Sequence, residues 1–346
     1  MTTEERARVA QTTLIVLLIT GLALLTVQFA FVFMLIFSAI LVAVLIRAAA
    51  IPFRRVGASD PVSVMLGLLL ILTILGLTGW LFGAQLSEQF TEIAQQLPQA
   101  FETVRGYLQT IPFAQGLLSS TPDIQSIMTR AVSFAFGAVG AVTNLVLVII
   151  AAIYLALDPK LYMRGTRLLF PKSQGPRVQE ALEASGAALH RYMLAQFVTM
   201  IVVGGLVWIG LAIAGVPSAG ALGVISGLTN FIPLVGPFIG AAPGVLLAFA
   251  NSPDTALWAV LVYFIAQQFE GNVLTPMIQR YAVSIPPAVL LFALAALGGI
   301  FGFIGVIVSA PLACVLYVLV NILWVRDALG HDLPDEIEEM EEDVRA

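Results

Sequence analysis

The chain has 346 residues, of which 59% are hydrophobic and 11% charged, with a mean hydropathy of +0.98. Soluble domains carry about 25% charged residues, so these totals exclude a soluble enzyme or binding domain and describe an integral membrane protein. The net charge of −5 signals no charged partner, because eight acidic residues crowd into the last 15 positions.

The predicted elements are all α-helical and begin with an N-terminal scaffold over 1–84. Arg6 and Arg8 precede an apolar run from Thr12 to Val27, which passes almost directly into a second run, Phe29 to Ile46. The expected structure is an uncleaved helical hairpin that returns the chain to its starting side at Arg47, Arg54 and Arg55. Pro61 opens a third span, Val62 to Phe82. Residues 85–130 are polar but carry Leu86, Phe90, Ile93, Leu97, Phe101, Val104 and Leu108 at helical spacing, punctuated by Pro98, Pro112 and Pro122. Such a stripe predicts an amphipathic arm outside the membrane, lying along the bilayer or against a neighbouring protomer.

Residues 131–192 contain a fourth span, Ala131 to Leu157, closed by Asp158-Pro159. A basic stretch follows, in which Val178, Ala181, Leu182, Ser185 and Leu189 share a face and predict an interfacial amphipathic helix. His190 lies there as a solvated or headgroup-facing residue. With the N- and C-termini placed in the cytoplasm, only Arg105 and Arg130 of the 16 basic residues fall outside, as the positive-inside rule requires.

Residues 193–326 read as a mobile transport half, with only Asp254, Glu270 and Arg280 charged between Met193 and Val325. A fifth span, Leu194 to Ala214, leads into the apolar segment 219–250, broken in its middle by Thr229, Asn230, Pro233, Gly236 and Pro237. Neither proline can donate in a helix, so two half-helices meeting at a turn are expected. Asp254 then caps a sixth span ending at Gln267, Glu270 and Asn272, followed by Pro276. A second broken stretch, 286–324, is interrupted at Gly299, Gly302, Gly305 and Pro311. The expected architecture is about six full spans plus two re-entrant hairpins entering from opposite faces, the pattern of an inverted repeat with its site near the midplane. Residues 327–346 form an acidic cytoplasmic tail, expected to be solvated.

A helix broken in lipid leaves peptide groups to be satisfied, each costing several kcal/mol without a partner, so the 229–237 turn offers dipoles beside Thr229 and Asn230. Glu270 is the candidate binding carboxylate, with Gln267 and Asn272 around it, because an ionised group near the membrane interior needs a partner. The pairs Gly223/Gly227, Gly236/Gly240/Gly244 and Gly298/Gly302 predict close helix packing. No hydrolase, P-loop or dinucleotide motif is present. With one cysteine, Cys314, and two histidines, His190 and His331, neither a metal centre nor a cofactor site is expected. There is no basic face for nucleic acid.

Four stretches carry a family resemblance: Asn230-Phe-Ile-Pro-Leu-Val-Gly-Pro-Phe-Ile-Gly240 with Pro243, Glu270-Gly-Asn-Val-Leu-Thr-Pro276, Ser284-Ile-Pro-Pro287, and Gly298-Gly-Ile-Phe-Gly-Phe-Ile-Gly305 with Ala310-Pro311. They resemble the signature of the autoinducer-2 exporter family, the bacterial PerM-like permeases. The resemblance implies an inner-membrane secondary transporter exporting a small polar metabolite, autoinducer-2 itself, by alternating access. It equally allows Na⁺(Li⁺)/H⁺ exchange, and it implies a homo-oligomer, a pentamer, with a fixed scaffold and a moving broken-helix half. The competing reading is a non-transporting scaffold that holds a partner through the arm or the acidic tail.

Overall fold

The computed structural model describes residues 3–109, 141–279, 281–334 and 337–338, and every element among them is helical. Helix α1, Thr3–Arg55, is one rod of 53 residues, about 80 Å long at 1.5 Å per residue. The expected N-terminal hairpin is therefore absent. Between the two apolar runs stands only Gln28, and a chain without glycine, proline or asparagine at the joint has nothing to end a helix. Two predicted spans become one element, and the side assigned to the N-terminus loses its parity argument.

Helix α2, Asp60–Gln109, likewise runs 50 residues without interruption, joining the third span to the first part of the arm. Pro61 sits in its first turn, where a missing N–H is harmless. Pro98 lies inside the helix without ending it, with the fully buried Ala100 and the core-packed Leu97 beside it. Part of the arm's apolar stripe is covered within the chain, while Phe90 stays exposed. Leu86, Ile93 and Leu97 pack into a core shared with the broken segment of the same chain. The remainder of the arm, including Pro112 and Pro122, lies outside the described residues.

Helix α3, Ala141–Leu157, meets α4, Pro159–Leu168, at 90°. Asp158 ends one and begins the other, its Oδ1 accepting from the Leu161 N–H at 3.1 Å. Helix α5, Gly175–Ile213, then spans 39 residues. The predicted interfacial helix and the fifth span are one element, and Val178, Ala181, Ser185 and Leu189 are buried along it. Their stripe faces protein: Ala181, Ala184 and Ala188 share a cluster with Cys314, Val318 and Ile322.

Gly215 and Ser218, both at positive φ, turn the chain into α6, Ala219–Thr229, and α7, Gly236–Asn251. The cap of α8, Pro253–Phe269, is Ser252 rather than Asp254, since the Ser252 hydroxyl accepts from the Thr255 N–H at 3.1 Å. A π-helical turn, Glu270–Leu274, and the short α9, Thr275–Gln279, follow. Arg280 lies outside the described residues.

The last helix, α10, Pro287–Val320, is broken at Gly302 with φ 60 and ψ −137. A Cβ at Gly305 would overlap the Leu297 carbonyl oxygen. Eight residues of unbroken helix would hold those positions about 12 Å apart, so the chain folds sharply back at Gly302. A second π-helical turn, Asn321–Arg326, ends the bundle.

Among the described residues, four helical segments are long and apolar enough to cross a membrane, or five if α3 and α4 form one bent span. That count includes Pro287–Arg326, expected as a broken hairpin, whereas the first two predicted spans share α1, the sixth, α8, has 17 residues, and the start of the fourth lies outside the described residues. The tail is not wholly solvated: Ile337 is fully buried, with Leu333 against the same cluster.

Candidate functional site

The first break is a hairpin. Gly240 lies against Ser226, where an added Cβ would come within 2.9 Å of its Cα, and a Cβ on Gly236 would overlap the Thr229 carbonyl. Helix α6 backs onto α5 just as closely, since a Cβ on Gly204 would meet the Gly223 carbonyl at 2.9 Å and one on Gly227 the Met200 carbonyl at 2.7 Å. The glycine spacing thus does what small residues do between membrane helices.

The turn's peptide groups are largely satisfied. Phe231 N–H donates to Leu228 C=O at 3.2 Å, Ile232 N–H to Thr229 C=O at 2.9 Å and Gly236 N–H to Ile232 C=O at 2.9 Å. The Asn230 carbonyl accepts from Gln196 Nε2 at 2.7 Å. The Thr229 hydroxyl donates back to Ser226 C=O at 3.2 Å. The expected cluster of free backbone dipoles is thus replaced by side chains. Asn230 is 2% exposed, yet its Nδ2 and Oδ1 make no hydrogen bond of regular geometry, and neither do Tyr263 Oη and Glu270 Oε2.

These groups converge from two elements. The Glu270 carboxyl faces the Asn230 carboxamide, and the Tyr263 hydroxyl faces Ser226. Tyr263 and Glu270 are seven residues apart on α8 and its π-helical extension, hence on one face. The π turn ends where Thr275 Oγ1 donates to the Glu270 carbonyl at 3.0 Å; such wide turns recur at functional sites. Leaving a buried polar atom unpartnered costs about 1–3 kcal/mol. Asn230 with Glu270 and Ser226 with Tyr263 face one another beside the hairpin tip, two polar pairs whose irregular geometry leaves hydrogen-bonding capacity for a polar ligand.

Of the sequence-predicted site residues, Asn230 and Glu270 meet. Thr229 shapes the turn. Gln267 and Asn272 are exposed and do not join them. Pro233 and Pro237 flank the break with Gly236, Leu234 between them at φ 69. Pro276 begins α9's first turn, and Pro311 is buried within α10. Gly302 makes the second break, Gly305 seals it, and Gly299 has open space around it. Gln196 and Tyr263 were missed. A lone glutamine in an apolar span is a signal for the first; nothing local marks the second.

The two breaks share one surrounding. Phe231 at the first, and Leu297, Phe301 and Ile304 at the second, pack on a cluster of Met34, Phe37 and Leu41 from α1 with Leu189 and Met193 from α5.

The AI-2E family transporter description matches residues 13–324, through both breaks. The chain belongs to the AI-2E transporter family. As a family member with several apolar helices, it is a multi-pass membrane protein. It is 32% identical to "Putative transport protein YueF" of Bacillus subtilis over 214 residues, 61% of this chain and 57% of that one. It is 31% identical to "Putative transport protein YrrI" of the same species over 247 residues, 67% of this chain and 69% of that one. It is 24% identical to "Putative permease PerM" of Escherichia coli over 280 residues, 78% and 79% of the two chains. The match therefore spans little more than half of YueF's length.

Proposed function

We propose that this AI-2E family chain is a bacterial inner-membrane secondary transporter that moves a small polar solute by alternating access, with autoinducer-2 as the cargo the family points to. The solute docks where the first hairpin tip meets α8. The observation that carries this reading is the buried Asn230 carboxamide facing the Glu270 carboxyl across two elements, with no regular hydrogen bond from any other group to Asn230 Nδ2, Asn230 Oδ1 or Glu270 Oε2. Both breaks act as re-entrant hairpins, and the cluster of Phe231 with Phe301 couples their movement. α1, α2 and α3 form the fixed scaffold, and copies of it assemble into a homo-oligomer, a pentamer by family resemblance.

The same oxygens favour a second reading, Na⁺(Li⁺)/H⁺ exchange, because Glu270 Oε2 and Asn230 Oδ1 are hard ligands suited to a small cation. The scaffold alternative would have to use what the arm leaves exposed, Phe90, since Leu86, Ile93 and Leu97 pack on this chain's own hairpin.

Purified protein in vesicles separates these. Glu270→Gln is expected to abolish pH-dependent solute flux or cation-driven proton movement, with folding intact. Flux that persists unchanged at every pH would remove Glu270 from the mechanism. A Na⁺ or Li⁺ jump that moves no protons in the wild type would remove the antiport reading.

A further inference from the structure

We propose that the cleft between α4 and α5 is a headgroup site for one anionic phospholipid. The cleft has a volume of about 310 Å³ and is lined by Lys160, Met163, Arg164, Arg167, Gln179 and Glu183. Lys160, Arg164 and Arg167 stand at positions i, i+4 and i+7 and so form one row on α4. Arg167 Nη1 donates to Gln179 Oε1 at 3.1 Å, and Gln179 Nε2 donates to Glu183 Oε1 at 2.9 Å. The lone carboxylate of the cleft is therefore engaged by a neutral carboxamide. Among the described residues no ion pair joins Lys160 or Arg164 to a carboxylate. Three exposed cations against one carboxylate give the cleft a net positive charge that suits an anion.

The surroundings make that anion a lipid. Helix α4 lies at 90° to α3, the attitude of a helix in the membrane interface. Beside its basic row run exposed apolar side chains, Leu161 at 57% and Leu168 at 78%, continued by Leu169 at 82%. A free phosphate would leave them in water; a phospholipid covers them with its acyl chains while its phosphate sits among the cations. The cleft also shares its end of the molecule with Arg47, whose Nη1 donates to the Ala156 carbonyl at 2.7 Å, and with the Arg54–Asp60 pair. A cation-rich end faces the cytoplasmic leaflet, where anionic lipids lie.

Native mass spectrometry of the full chain in detergent, titrated with phosphatidylglycerol or phosphatidylcholine, tests this. One phosphatidylglycerol is expected to stay bound where phosphatidylcholine leaves. The triple variant Lys160→Gln, Arg164→Gln, Arg167→Gln should weaken retention on the order of a hundredfold, since each cation near an anionic headgroup adds about a factor of five. Lys172→Gln, outside the cleft, should leave it unchanged. Equal retention of the two lipids, retention unaffected by the triple variant, or displacement by millimolar inorganic phosphate would each overturn the proposal. Should the triple variant fail to fold, a photoactivatable phosphatidylglycerol on the wild type decides. Adducts within residues 160–183 support the site, and adducts found only elsewhere refute it.

Discussion

Gly236 holds the first hairpin shut because its hydrogen leaves room for the Thr229 carbonyl, which any Cβ would overlap. Gly236→Ala is therefore expected to destabilise the protein by about 1–3 kcal/mol, the usual cost of overpacking. Its thermal midpoint in detergent and its vesicle flux should fall together. Gly205→Ala, with open space around it, should lower neither; an unaltered Gly236→Ala protein would mean the turn relaxes freely. At this scale the sequence was informative where chemistry is rare. Asn230 and Glu270 stand out because polar side chains in an apolar stretch need reasons. Tyr263 does not stand out, since an aromatic ring is at home in lipid and Ser226, the residue its hydroxyl faces, belongs to another helix.

Among the elements, α2 does more than extend the third span. Helix α6 begins with Ser218 in the left-handed region and no side-chain cap of its own. The arm supplies one: Gln89 Oε1 accepts from the Ala221 N–H at 2.8 Å, and the Ser218 hydroxyl donates to Glu92 Oε2 at 2.6 Å. Losing a cap costs about 1 kcal/mol, so Gln89→Met with Glu92→Met should speed amide exchange at 219–223 about fivefold while leaving α3 unaffected. Exchange that stays the same there would show the contacts carry no weight. The apolar stripe of the arm was legible from its spacing, but periodicity names a buried face and never its partner. Nor could it show that α1 is one rod, because apolar runs set end to end read as two spans unless a turn signal is demanded between them.

For the whole molecule, the packing places the α1–α2 loop and the α4–α5 loop at one end, joined by Arg47 and Ala156. Arg326 reaches Glu180 at 3.5 Å, bringing the chain's last described turns to the start of α5. The α7–α8 junction belongs to the opposite end, because α5 crosses before the hairpin begins. Cys314 is fully buried and should be a quiet background for single-cysteine labelling. Ser59→Cys and Ser173→Cys are expected to react with an impermeant maleimide from one side of oriented vesicles, and Asn251→Cys from the other. Labelling of all three from one side would dismantle this layout.

The sequence by itself determined that the chain is helical, lives in a bilayer and breaks twice at glycine and proline. Those properties follow from transfer free energy and from backbone donors that the residues possess or lack wherever they lie. Only the tertiary structure decided that Asn230 meets Glu270, that Gln196 takes the turn's free carbonyl, and that the arm caps the hairpin. Each is a contact between distant positions, set by which helix faces pack together, and no local pattern encodes the pairing.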